Sequence, residues 1–257
     1  MFDDLQDGFF MWRIWTTFGY EDLRNVYRRT ALGLAWIALS FGLFALVKVL
    51  IFSTLTSDSD LANFATWVVV GFLVWQFIQN VVISGSSVFI SSEGWIKGVP
   101  LPISVHVYKV LWRIHIQSAV NMATALLLIA IFGRFDLLGL ALSLLAIPVY
   151  IFAAVPVQIG LGLLCVISRD IQKFIETVIR LAFFVTPIIW EPTSGTVRET
   201  VAFYNPFTYV IALFRTPIIE GRYDFNALIV VLAITFVLWV FALLAMRVLR
   251  AQLPYRL

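Results

Sequence analysis

Six stretches of the chain are apolar over lengths that no single face of a soluble helix explains. Residues 32–55 are broken only by Lys48, residues 64–83 carry no charge, and residues 114–132 hold one histidine, His115. Residues 137–167 run without a charge for longer than one crossing needs, with Pro148 and Pro156 placed to kink them. Residues 171–190 include Glu176 and Arg180, and residues 225–246 are again uncharged. A helix crosses the hydrocarbon core with about 20 mostly apolar residues. The pattern predicts an all-α polytopic membrane protein with six transmembrane helices.

Composition agrees. Apolar residues make up 61 % of the 257 and charged residues 13 %, against about 45–50 % and about 25 % in soluble domains. A soluble monomer and a disordered chain are excluded, and a net charge of +3 gives no footprint for nucleic acid. The single cysteine, Cys165, excludes a disulfide framework and a cysteine metal cluster. Six spans put both termini on one side, and the Lys/Arg bias says which. Thirteen of the 18 basic residues fall on the N-terminal side; Arg134, Arg198, Arg215 and Arg222 fall opposite, and Lys48 lies within a span. Both termini are therefore expected in the cytoplasm. Asp3, Asp4 and Asp7 precede any apolar run, so no cleavable signal peptide is expected. With no internal repeat or linker, one membrane domain fills residues 1–257: an interface segment to residue 30, six helices over 31–250, and a short cytoplasmic tail.

The segments between the spans differ in kind. Residues 9–29 mix aromatic and basic residues, with Trp12, Trp15, Leu23, Val26 and Tyr27 at helical spacing. Such a stretch suits an amphipathic helix lying in the cytoplasmic interface. Residues 93–102 carry too few apolar residues to cross, and read equally as a plain loop or as a stiff amphipathic knob ended by Pro100 and Pro102. The outward loop, residues 191–224, is rich in aromatic and aliphatic residues in two runs too short to span. Segments of that kind form re-entrant or interfacial helices, which suggests a plug or gate at an outer mouth, or a helix pair resting on lipid.

Charges within the spans are candidates for function because burying them is costly. Lys48 is close enough to the outer end to snorkel, and Glu176 and Arg180, four apart, suit a structural ion pair. His106 and His115 have no carboxylate or cysteine cluster nearby in the sequence and do not resemble a metal site; a packed or interfacial histidine is expected at each. The chain has no G-x-x-x-x-G-K-[ST], no H-E-x-x-H and no G-x-S-x-G. If it moves a substrate, the energy comes from a partner.

Four stretches resemble the membrane permease subunit of type-2 ABC exporters, in particular those for O-antigen, capsule and teichoic acid. Tyr27-Arg28-Arg29-Thr30-Ala31-Leu32-Gly33-Leu34-Ala35-Trp36 is similar to that family's R-Y-x-x-S-x-L-G-x-x-W. Lys97-Gly98-Val99-Pro100-Leu101-Pro102 is similar to its K-x-x-x-x-P loop, and Ser168-Arg169-Asp170-Ile171 to its R-D-I turn. Thr186-Pro187-Ile188-Ile189-Trp190, with Tyr204-Asn205-Pro206 and Arg215, is similar to its outer segment. One departure is visible: the family often has a proline soon after the tryptophan, where this chain reads Ile37-Ala38-Leu39-Ser40.

The resemblance implies a homodimer enclosing one pathway, with two separate nucleotide-binding ATPase subunits below. The chain itself would be non-catalytic and hold no cofactor, with ATP and Mg on the partner. Glu93, Trp95, Ile96, Lys97 and Pro100, with Arg169 and Asp170, would couple to the ATPase. Trp12, Arg13, Trp15, Arg24 and Arg28 would belong to an interface helix that also contacts it, and short re-entrant helices between spans five and six would shape the exit. The implied substrate is a lipid-linked polysaccharide crossing the cytoplasmic (inner) membrane. Sugar rings stack on aromatic faces, so Trp67, Phe72, Trp75, Tyr204, Tyr209 and Phe214 are candidate pathway residues. A permease for a lipid or drug, and a membrane-embedded transferase acting on lipid-linked sugars, are the alternatives.

Overall fold

The computed structural model describes residues 2–53 and 61–256. The predicted end of the first span at residue 55, and Asp58 and Asp60 of the first outer loop, lie outside the described residues. Among the described residues every regular element is helical. Among these residues four stretches are long and apolar enough to cross a membrane: Leu61–Ser87, Ile103–Phe132, Leu137–Ile167 and Phe225–Leu249.

The chain opens with α1 (Phe2–Phe10) and α2 (Trp12–Tyr27). They are separated at Met11, whose N–H is shared between the carbonyls of Asp7 and Gly8. Helix α3 (Ala35–Ser53) is apolar almost all round. It buries one stripe at i, i+4 spacing, Ile37, Phe41, Ala45 and Val49, and leaves Leu39, Leu43, Phe44 and Val47 exposed. Helix α4 (Leu61–Ser87) is the axis of the protomer: α3, α6 (Ile103–Phe132), α8 (Ala146–Ile167), α9 (Arg169–Val185) and α11 (Pro206–Glu220) all pack on it. It is buried on nearly every side from Phe64 to Trp75, which explains why its sequence shows no polar face.

A short helix, α5 (Glu93–Gly98), follows, and then α6 (Ile103–Phe132). The third predicted span began at residue 114; the helix in fact starts eleven residues earlier, directly after Pro102. Thirty residues rise about 45 Å, more than the roughly 30 Å of hydrocarbon, so the additional turns carry α2. Close approach there depends on Gly19, where a Cβ would lie 2.6 Å from the Lys109 carbonyl.

The long apolar run 137–167 divides into α7 (Leu137–Ser143) and α8 (Ala146–Ile167). The division at residues 144–145 lies four residues before Pro148, whose ring would collide with the carbonyl of Leu144 in a continuous helix. Pro156, by contrast, stays inside α8. Helix α9 (Arg169–Val185) is strongly amphipathic. Neither α3 nor α9 is among the four span-length apolar stretches. In α9 the reason is the polar face of Arg169, Lys173, Glu176, Thr177 and Arg180.

The outward loop holds α10 (Val197–Tyr204) and α11 (Pro206–Glu220). Helix α11 packs on α4, α7 and α12 (Phe225–Leu249). Its ends follow local chemistry. Asn205 caps the start, with Pro206 in the first turn, and Gly221 at φ 67° closes the end in the left-handed region. A final short helix, α13 (Leu253–Arg256), follows α12.

Candidate functional site

Two regions gather the sequence-predicted residues. The first is built on α5. Glu93 and Lys97 face each other across one turn at 2.7 Å, the spacing expected of an i, i+4 pair. The Glu93 carboxyl is held below the usual carboxylate range, first by its hydrogen bond from Lys97 and then by the charges of Lys97 and Arg169. The structure therefore brings Arg169 into the field of α5, although 76 residues of sequence separate Arg169 from Glu93. Arg169 and Asp170 are exposed in the first turn of α9, and Ser168 caps that turn by accepting from the Asp170 N–H at 3.2 Å.

Trp95 is 48 % exposed, with its ring 5.0 Å from that of Phe18 on α2. Ile96 points the other way and packs against the cluster that contains Leu253. Lys97 and Pro100 are exposed. Residues 93–98 form a short helix with no buried residue, which agrees with the helical reading of this segment and not with a plain loop.

Helix α2 is anchored on α6 by Trp15, Gly19 and Leu23. The Trp15 ring lies 6.0 Å from Tyr108 and 5.8 Å from Trp112, and Asp22 pairs with Lys109 at 3.0 Å. Trp12 is exposed with the Arg13 guanidinium 5.5 Å from its ring. Arg24 lies 3.8 Å from Glu21, and Arg28 is exposed at the end of the helix. Val26, placed with the apolar stripe by its spacing, is in fact exposed.

The second region is the seat of α11. Two motifs meet here, through residues 19 positions apart in the sequence. Asn205 Nδ2 donates to Thr186 Oγ1 at 2.9 Å and to the Val185 carbonyl at 3.3 Å. Arg215 is buried, donates to the Pro187 carbonyl at 2.8 Å, and lies 3.3 Å from the centre of the Trp67 ring. Gly71 on α4 makes room, since a Cβ there would lie 3.2 Å from the guanidinium. The guanidinium is thus satisfied by a carbonyl and an aromatic face, which explains how a charge is held between apolar helices. Sequence reasoning placed Arg215 among outer-loop charges and missed this role. The available signal was its occurrence in an otherwise uncharged apolar run from 206 to 219.

The candidate pathway aromatics fall into two groups. Trp75 is 1 % exposed and meets Phe183 and Phe207 edge to face at 5.8 and 5.5 Å. Phe72 stacks on Phe41 at 5.4 Å, and the Lys48 ammonium lies 3.2 Å from its ring centre. Lys48 therefore turns towards an aromatic box that includes Phe183, where snorkelling had been expected. Phe214 is buried beside Tyr150. Within the protomer these rings, with Trp67, serve packing and cation seating. Tyr204 is 78 % exposed beside an exposed Phe203, and Tyr209 donates its hydroxyl to the Phe203 carbonyl at 2.8 Å, fixing α10 to α11.

An apolar groove of about 410 Å³ opens between α4, α8, α9, α11 and α12, lined by Phe77, Tyr150, Phe174, Phe207 and Leu238 among others. Its walls offer almost no polar group, so it suits a hydrocarbon chain and not a sugar.

No protein-family model matches the chain. Curated relatives do. It is 24 % identical over 211 residues to the O-antigen export system permease protein RfbA of Klebsiella pneumoniae, covering 80 % of each chain. It is 23 % identical over 222 residues to the protein of that name from Myxococcus xanthus, covering 85 % of each. A second Klebsiella pneumoniae protein of that name is 23 % identical over 230 residues, covering 87 % of this chain and 86 % of the relative. The long apolar helices and these likenesses along most of the chain agree: this protein resembles the permease subunits of polysaccharide export systems.

Proposed function

We propose that the protein is the permease subunit of an ABC transporter that exports an O-antigen-like, lipid-linked polysaccharide across the cytoplasmic membrane. The likeness to O-antigen export permeases along 80–87 % of the chain carries this reading. A second copy of the chain completes the pathway, and two separate ATPase subunits bind ATP and Mg and supply the energy. Both termini face the cytoplasm, in line with the placement of the basic residues.

In this arrangement α3 and α9 complete a set of six spans. A helix of 17 residues rises about 26 Å, enough for a slightly thinned crossing. The polar face of α9 then needs water or a partner, because ionisable groups at membrane depth face cavities and not lipid. That places Lys173, Thr177 and Arg180 towards the space between the two copies. The exposed α5, beside Arg169 and Asp170, is the contact for the ATPase, and the amphipathic α1–α2 pair flanks it. Helices α10 and α11 shape the exit, where Tyr204 offers an open ring to passing sugars. The apolar groove accommodates a lipid tail.

The test is purification from the native membrane. An ATP-hydrolysing subunit is expected to accompany the chain, and deletion of the chain's gene is expected to remove surface polysaccharide. A chain that purifies without any ATPase, from a strain whose surface glycan survives the deletion, ends this proposal.

A further inference from the structure

One buried carboxylate, Asp4, gathers three distant parts of the chain. The side chain of Asp4 on α1 is fully buried, at 0 % exposure. Its Oδ2 accepts from the Ile103 N–H at 3.2 Å and its Oδ1 from the Ser104 N–H at 3.1 Å. Arg250, just beyond α12, reaches Oδ2 at 2.8 Å. The Asp4 carbonyl accepts from Ser104 Oγ, and the Leu5 carbonyl accepts from the Tyr108 hydroxyl at 3.1 Å. Gly8 lies so close to Ser104 that a Cβ there would collide with its hydroxyl.

The arrangement has a local cause. Helix α6 begins at Pro102, which has no side-chain acceptor and caps nothing. The first N–H groups of a helix need an acceptor, and a negative charge is favoured there. Asp4 supplies both from another helix. The arrangement is not an economical route to stability, since a buried ion pair is often no better than apolar packing of the same volume. What it provides is position: the carboxylate fixes where α6 starts relative to both ends of the chain. The segment fixed in this way is the one that carries α5. The same neighbourhood holds α5 from its sides, with Ile96 and Ile103 against the cluster of Leu253 and Trp95 against Phe18.

The geometry points to Asp4 as a positioning residue for α5: by capping α6 and pairing with Arg250 it clamps both chain termini to the α5–α6 junction, so that a displacement of α5 is delivered to the membrane helices. This rests on the reading of α5 as the ATPase contact. Without the clamp, the non-helical residues 99–102 would absorb the movement.

Two measurements on the intact protein test it. In the first, a spin label on Gly98→Cys, a position with open space around it, reports the order of α5 in the purified permease. The native Cys165 is buried. Asp4→Asn keeps an acceptor but removes the charge, Arg250→Gln removes the partner and leaves the cap, and Arg250→Lys restores the cation. The label is expected to loosen in Asp4→Asn and Arg250→Gln and to stay ordered in Arg250→Lys. In the second, surface polysaccharide at equal complex abundance is divided by the ATPase rate of the purified complex. It is expected to fall about tenfold in the same two variants, the factor given by a shift of about 1.4 kcal/mol between two states, with Arg250→Lys near the parent.

An ordered label in both Asp4→Asn and Arg250→Gln overturns the clamp, as does a loosened label with unchanged export per ATP. Equal loss in Arg250→Lys and Arg250→Gln also overturns it, because packing and not the ion pair would then be at work. Trp95→Ala separates the two readings. If that variant leaves ATPase stimulation intact, the assignment of α5 to the ATPase fails, and the label alone then decides whether Asp4 positions α5.

Discussion

The two ends of the protomer are held by different chemistry. At the α11 seat the contacts are buried and few: Arg215 on the Pro187 carbonyl and the Trp67 ring, Asn205 on Thr186, and Trp75 between Phe183 and Phe207. On the open face of α5, away from Ile96 and the buried Asp4, the contacts are exposed and adjustable: Glu93 with Lys97, the field of Arg169, and one face of Trp95 on Phe18. A buried contact has no water to replace a lost partner, so its removal costs the full desolvation of what remains. An exposed contact is replaced by water at little cost. The first region is therefore suited to holding a shape, and the second, in the proposed function, is free to meet the ATPase.

Substitutions sharpen this contrast. Trp75→Ala should have the largest effect, destabilising the protomer by about 3–5 kcal/mol, seen as a lower thermal midpoint in detergent. Unchanged stability with reduced export would instead put its ring in the pathway. Arg215→Ala follows, at about 3 kcal/mol for a charge-assisted hydrogen bond and a desolvated ring contact. Arg215→Lys should recover only part of this, because an ammonium lacks the planar fork. Asn205→Ala should cost about 1 kcal/mol as a lost cap, and a stability equal to the parent would break the link between the two motifs that meet there.

At the other end the expected pattern reverses. Trp95→Ala should move stability by less than about 0.5 kcal/mol while abolishing stimulation of the partner ATPase, measured in the purified complex. A large loss of stability with stimulation retained would make α5 a structural element. Glu93→Gln should have the smallest effect. Its carboxyl sits below the usual range, so its help to α5 is present above the unfolded carboxylate pKa and is lost as pH falls through the folded one. Amide exchange in α5 should therefore quicken on acidification in the parent, and depend less on pH in Glu93→Gln.

How far the sequence alone reached can be read from particular helices. The uncharged run of α4 and the long run that became α7 and α8 were legible, because apolar length is a one-dimensional property. Pro148 also announced a break, though the break falls at residues 144–145, where its ring meets the preceding turn. The start of α6 was missed by eleven residues, because residues 103–113 carry His106, Lys109 and Arg113 and look like a flank. They are helical because α1 and α2 cover them, and that cover comes from a distant part of the chain. The motifs T-P-I-I-W and N-P were likewise visible as strings, but their meeting through Asn205 and Thr186 was not.

The sequence by itself determined that this is a helical membrane protein and roughly where its long helices run. Those properties follow from local composition and from the thickness of a bilayer. Tertiary structure alone decided that α4 is the axis, that Arg215 and Lys48 rest on aromatic faces, and that Asp4 caps a helix a hundred residues away. Each of these depends on which side chains meet across helices, and pairings between distant residues leave no periodicity in the chain to be read.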